Sequence, residues 1–156
     1  MSTENKNETN TSFENSLIGQ EFSFALIMFH QQVAETLGLN VTDYKVLGII
    51  TNEGVTAGDI ANKSGLSTGM VTTVVDRLEK KNFVYRDKHP NDRRKVIIKR
   101  NIEKTNSEMS PIFQSFGVEM GKLFSSYNQS ELKTILDYLK RSIDIFTKER
   151  EKLKSK

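Results

Sequence analysis

Eleven basic side chains fall between residues 76 and 104: Arg77, Lys80, Lys81, Arg86, Lys88, Arg93, Arg94, Lys95, Lys99, Arg100 and Lys104. Five acids oppose them, Asp76, Glu79, Asp87, Asp92 and Glu103, so this stretch carries about +6. The whole chain of 156 residues is only +3, which leaves about −3 for everything else. Charge gathered in this way is the footprint that a phosphate backbone requires, whereas a solvated face mixes its signs. Just upstream, Ser67, Thr68, Gly69, Thr72 and Thr73 place small polar groups on one side of a helical period. Hydroxyls there can meet base edges or phosphates, and a glycine lets a backbone come close.

Chemistry of other kinds is poorly served. The chain has two histidines and no cysteine, which removes a thiol nucleophile, a disulfide framework and a thiol-zinc site. His30 lies in an apolar helical stretch, where a hydrogen-bonded structural role is expected. His89 lies at the tip of a basic turn, and neither histidine has a nucleophile at a recognisable spacing. No Gly-rich phosphate loop is present. The chain is read as no enzyme, with no metal and no cofactor.

The elements that must position these residues follow from periodicity. Residues 1–14 are Ser, Thr, Asn, Glu and Lys almost throughout and are expected to form a disordered arm. From Leu17 onward Ile18, Phe22, Ala25, Phe29 and Val33 make one helical face, while Phe24, Leu26, Ile27 and Met28 make the rest of that helix apolar too. Such a helix needs cover on more than one side, from its own core and from a second subunit. Thr42 is expected to cap a second helix burying Tyr44, Val46, Leu47 and Ile50. Thr56 with Asp59 opens a short third helix that Gly65 closes. Ser67 caps a fourth, with Met70, Val71, Val74, Val75 and Leu78 as its buried stripe. Residues 83–88 and 95–100 read as a hairpin around a His-Pro-Asn-Asp tip. Two further helices follow, with Pro111 expected in the first turns of one of them or kinking it, and Asn128 with Glu131 capping the last.

Two short helices joined at a glycine, the second with a small polar outer face, form the helix-turn-helix arrangement that enters a DNA major groove. Ala61 would sit at the helix crossing, with Ile60, Leu66, Val71 and Val74 filling the wedge. The runs Thr56-Ala-Gly-Asp-Ile-Ala, Ser64-Gly-Leu-Ser-Thr-Gly-Met-Val-Thr, Asp76-Arg-Leu-Glu and Pro90-Asn-Asp-Arg-Arg resemble the MarR family of winged helix-turn-helix transcription regulators. The resemblance covers residues 15–150. It implies a mainly α fold with a small β-hairpin wing, a winged helix-turn-helix DNA-binding lobe over residues 39–102, and N- and C-terminal helices, 15–38 and 103–153, forming a dimerisation region. It also implies a homodimer on a pseudo-palindromic double-stranded operator.

On that resemblance Ser67, Thr68, Gly69, Thr72 and Thr73 enter the major groove, while Arg77 and Lys80 meet phosphates. Arg94 corresponds to the family's minor-groove arginine, Asp92 braces the wing through a nearby arginine, and Arg86, Arg93 and Lys95 add backbone contacts. Relatives often bind small aromatic or phenolic effectors between the dimer helices and the lobe. Phe24, Met28, His30, Gln31 and Tyr44 are the residues that could line such a cleft, with ordinary core packing as the competing role. The family implies repression more often than activation, and without cysteine no thiol switch can operate. The longest apolar run, Phe24–Phe29, is far too short for a membrane span, and no secretory signal opens the chain, so a cytoplasmic protein is expected. A winged-helix module docking an acidic protein partner, with only non-specific DNA binding, is the alternative.

Overall fold

The computed structural model describes the backbone of residues 3–154 and the side chains of residues 17–92 and 94–153. Eight elements follow in order: α1 (Thr3–Thr36), α2 (Val41–Ile49), α3 (Ala57–Ser64), α4 (Thr68–Lys80), β1 (Val84–His89), β2 (Asp92–Arg100), α5 (Ile102–Ser125) and α6 (Gln129–Lys154). The fold class is the expected one, mainly helical with a two-stranded antiparallel wing. No helix among the described residues is long and apolar enough to cross a membrane.

Local side-chain chemistry sets the helix ends. Thr56 and Asp59 form a reciprocal capping box at α3, Thr56 Oγ1 accepting the Asp59 N–H and Asp59 accepting the Thr56 N–H. Gly65 ends that helix in the left-handed conformation, φ 78°, which a β-carbon would oppose. Ser67 caps α4 by accepting the Met70 N–H at 3.3 Å. At α6, Asn128 and Glu131 exchange the same pair of bonds as Thr56 and Asp59. At α2, the cap is Asn40 and not Thr42: Asn40 Oδ1 accepts the Asp43 N–H at 2.8 Å, and the helix stops at Ile49. Both residue types can cap, and asparagine is the stronger N-cap of the two.

The chain divides into two compact units, Met1–Ser110 and Pro111–Lys156. The first has a continuous core from Val33 and Ala34 of α1 and Leu37 just after it, Val46, Leu47 and Ile50 from α2 and the residue after it, Ile60 of α3, and Val71, Val74, Val75 and Leu78 of α4. Phe83, Val84, Ile97 and Ile98 close it from the wing side. Ile97 and Ile98 are consecutive and both buried, because residues 51–55 cover the second face of the hairpin. Val55 pairs with Ile98 as an antiparallel bridge, a third strand position with no pattern in the sequence to announce it. Gly54, at φ 97°, lies so close that a β-carbon there would stand 2.8 Å from Ile97 Cδ1.

Two expectations about α4 and α5 need correction. Met70 is not in the buried stripe of α4; it is 52% exposed at the stripe's edge, since Val71, Val74, Val75 and Leu78 already fill the contact arc. Pro111 falls well inside α5 and not in its first turns. Its missing N–H leaves the Ser107 carbonyl without a helical partner, and the division between the two units falls at the same peptide bond.

The α1 helix runs without a break from Thr3, so the backbone of residues 3–14 is helical where a disordered arm is expected. No Gly or Pro interrupts that polar run, and its side chains lie outside the described residues. Tyr44 is half-buried rather than part of the α2 core. In the second unit Phe116, Val118, Leu123, Phe124, Leu136, Leu139, Ile143 and Phe146 are all exposed.

Candidate nucleic-acid interface

The exposed side of α4 carries Ser67, Thr68, Gly69, Thr72, Thr73, Asp76 and Lys80. These are the residues expected there, with Arg77 as the exception. Its guanidinium forms a two-pronged pair with Asp43 of α2, Nε to Oδ2 at 2.9 Å and Nη2 to Oδ1 at 2.5 Å. Asp43 is only 2% exposed, so the pair locks the middle of α4 against the first turn of α2. Hydrogen bonding to Asp43 raises the Arg77 pKa above its already high ordinary value. Arg77 is therefore a structural anchor of the recognition helix, its outer edge alone remaining for a phosphate. Nothing local in the sequence announces Asp43, whose partner stands thirty-four positions away. An acid three and four residues before Val46 and Leu47, on the buried side of α2, is the signal that could have found it.

Arg86 is likewise tied down. From β1 it reaches back to α4, where it pairs with Asp76 at 2.6 Å and with Glu79, while its backbone N–H is accepted by Glu79 Oε1 at 3.1 Å. The Asp76 hydrogen bond, opposed in part by desolvation, raises its pKa. The base of the wing is thus buckled to the outer flank of α4. Across the hairpin Lys99 donates to Asp87 at 2.8 Å, and this bond together with the Lys88 N–H holds the Asp87 carboxyl below the usual range. Lys81 donates to the Gly38 carbonyl, Arg100 to the Leu47 carbonyl, and Lys104 pairs with Glu108.

Much of the basic stretch is therefore internal framework. Among the described residues of this stretch Lys80, Lys88, Arg94 and Lys95 are exposed cations held neither by an ion pair closer than 3.8 Å nor by a backbone carbonyl. The last two stand at a break in the hairpin register. Lys88 faces Val96 while His89 faces Asp92, so residues 93–95 have no partner across the ladder and bulge outward. Asp92 braces this bulge, though differently from expectation. It accepts the Arg94 backbone N–H at 3.1 Å and lies 3.8 Å from Lys95 Nζ, with no arginine side chain as partner among the described residues. The Arg93 side chain lies outside those residues.

Of the five residues considered for an effector cleft, His30 and Tyr44 come together, His30 Nδ1 standing 3.2 Å from the Tyr44 hydroxyl. Burial raises the Tyr44 pKa, which keeps the phenol neutral. Gln31 donates to Glu35 on its own helix, and Met28 is half-exposed. Phe24 is 66% exposed, so neither it nor Met28 is ordinary core within the single chain. No group of three or more His, Cys, Asp or Glu side chains able to hold a metal occurs among the described residues.

Comparison with known proteins agrees with this geometry. The MarR family model matches residues 39–96. The chain is 40% identical over 129 residues to the uncharacterized HTH-type transcriptional regulator YcgE of Bacillus subtilis (strain 168), covering 82% of this chain and 83% of that protein. In fold it is similar to CouR from Rhodococcus jostii RHA1 bound to p-coumaroyl-CoA, with TM-score 0.58, 22% identity, and 82% and 90% of the two chains covered. It is similar also to a MepR mutant of S. aureus bound to an oligodeoxyribonucleotide, with TM-score 0.56, 21% identity, and 85% and 97% covered. The family and its curated relative YcgE are transcription regulators and not enzymes. With its capped recognition helix, its wing and this degree of identity, the chain belongs to the MarR family of winged helix-turn-helix, DNA-binding transcription regulators.

Proposed function

We propose that this regulator acts as a homodimer on a pseudo-palindromic operator, with α4 in the major groove and the wing in the adjacent minor groove, and that it represses transcription until a small aromatic or phenolic effector releases it. The observation that carries the DNA-binding geometry is the split among the basic residues. Those near the lobe core are consumed by Asp43, Asp76, Glu79 and Asp87, whereas Arg94 and Lys95 are projected by a bulge braced from Asp92. A cation held at the end of a narrow hairpin is suited to a narrow, strongly negative minor groove.

Dimerisation is supported by apolar surface that a lone chain leaves wet. Ile18, Phe22, Phe24 and Ile27 of α1 are exposed, as are Leu136, Ile143 and Phe146 of α6. A soluble monomer rarely leaves so many large apolar side chains wet on each of two helices. Effector control is supported by the His30–Tyr44 couple and by the exposure of Phe24 and Met28 on α1, and by the p-coumaroyl-CoA bound to CouR, a relative in fold.

Substitution Arg94→Ala tests the wing. It should weaken operator binding at fixed salt while leaving the unfolding midpoint within about 2 °C of wild type, because an exposed side chain away from packing changes stability by no more than about 0.5 kcal/mol. Unchanged affinity in a gel-shift titration would remove the wing from the mechanism.

A further inference from the structure

The middle of the outer face of α4, from Gly69 to Asp76, offers DNA hydrogen-bond acceptors and methyl groups, its donors lying at the two ends, in the Ser67 and Thr68 hydroxyls and in Lys80. Val71, Val74, Val75 and Leu78 are buried. At 3.6 residues per turn, Gly69, Thr73, Asp76 and Lys80 then point most directly away from the core, with Thr72 on one flank and Met70 on the other. The threonine hydroxyl protons are turned inward. Thr72 Oγ1 donates to the Thr68 carbonyl and Thr73 Oγ1 to the Gly69 carbonyl, both at 3.1 Å. Hydroxyls engaged in this way present only their lone pairs and their γ-methyl groups to an approaching base. Asp76 adds a carboxylate whose Oδ1 is already held by Arg86, which leaves Oδ2 as its free acceptor.

Met70 adds an exposed thioether, and Val41 of α2, 54% exposed, stands with it on an open groove between α2 and α4. Gly69 has no atom within 4 Å of the position a β-carbon would take, so nothing inside the molecule requires its bareness. A helical glycine weakens its helix relative to alanine, and this one opens the reading face to close approach.

Acceptors beside methyl groups are complementary to one kind of base pair. In the major groove an A·T pair shows the adenine N6 amino donor and the thymine C5-methyl together, whereas a G·C pair shows the cytosine N4 donor with no methyl, and guanine adds two acceptors, N7 and O6. Guanine beneath Thr72, Thr73 and Asp76 would set acceptor against acceptor. We infer that α4 reads A·T pairs chiefly through thymine C5-methyl groups packed against Met70 and the Thr73 γ-methyl, so that apolar contact specifies the centre of each half-site. This rests on the operator binding proposed above and adds the base class that the helix selects.

Deoxyuridine provides the test, since it lacks only the thymine methyl. The full-length wild-type protein would be used to select duplexes from a random pool, and each thymine of the enriched half-site then replaced by deoxyuridine. Loss of a buried methyl should weaken binding about fourfold at one or more positions in each half-site. At those positions the penalty should fall to within about 1.5-fold in Met70→Ala or in Thr73→Ser, which keeps the hydroxyl and removes only the methyl. Both side chains are exposed, so neither variant disturbs the core. Enrichment of a sequence with no deoxyuridine penalty at any position overturns the inference alone. A penalty that persists undiminished in both variants also overturns it. A pool in which nothing is enriched overturns the sequence-specific reading together with it.

Discussion

Substitution Gly69→Ala separates stability from DNA binding, because the two should move in opposite directions. Gly69 is the second residue of α4, and the space around a β-carbon built there is empty to 4 Å. An alanine therefore meets no clash inside the molecule. Glycine in a helix interior costs about 0.5–1 kcal/mol relative to alanine, and the lower end applies in a first turn. The variant should be more stable by about 0.5 kcal/mol, raising the unfolding midpoint by about 1–2 °C for a chain of this size. On the operator, the new methyl occupies the space through which the helix backbone would approach the groove floor. Overpacking a close contact costs about 1–3 kcal/mol, a loss of roughly 5- to 150-fold at each half-site. Calorimetry and fluorescence anisotropy with a labelled operator duplex at fixed salt read the two effects. Wild-type affinity in a stabilised variant would refute close approach of the α4 N-terminus, and a lowered midpoint would refute the claim that the fold does not need this glycine.

Three further outcomes are expected. Arg77→Ala leaves the buried Asp43 carboxylate without its guanidinium; an uncompensated buried charge costs about 3–5 kcal/mol, and partial exposure of the arginine lowers this to about 2–3 kcal/mol, or roughly 5–10 °C in the midpoint. Asp87 is held below its ordinary pKa by Lys99, so its contribution is present above the unfolded value near about 4 and is lost as pH falls through the lower folded value. The difference in unfolding midpoint between wild type and Asp87→Asn should then be constant from neutrality to about pH 5 and vanish in stronger acid. Four exposed cations of the basic stretch in each lobe, Lys80, Lys88, Arg94 and Lys95, imply about eight phosphate contacts per dimer and a log–log salt slope of about −7; a slope near twice that would mean that the ion-paired residues also release to DNA.

What the sequence made legible is what local chemistry decides. The Thr56–Asp59 box, the Ser67 cap, the left-handed Gly65 and the Asn128–Glu131 box each span no more than three residues between partners, and each forms as its residue types require. The exposed polar face of α4 follows from spacing alone. The errors concern distant partners. Arg77 and Arg86 count as free charges in a tally along the chain, but Asp43, Asp76 and Glu79 hold them. The Val55–Ile98 bridge and the burial of consecutive Ile97 and Ile98 depend on a loop folding over the wing, which no period-2 pattern encodes. Met70 lies at the edge of a stripe, where a count of apolar residues cannot say which one the arc leaves out.

Binding of a selected operator in the presence of excess non-specific duplex tests the central claim most directly. Sequence-specific readout by α4 and the wing predicts that the complex survives the competitor at physiological salt, with an affinity at least about a thousandfold above that for random duplex. A ratio near one, with both affinities falling together as salt rises, would contradict it and leave only a basic surface of general electrostatic attraction.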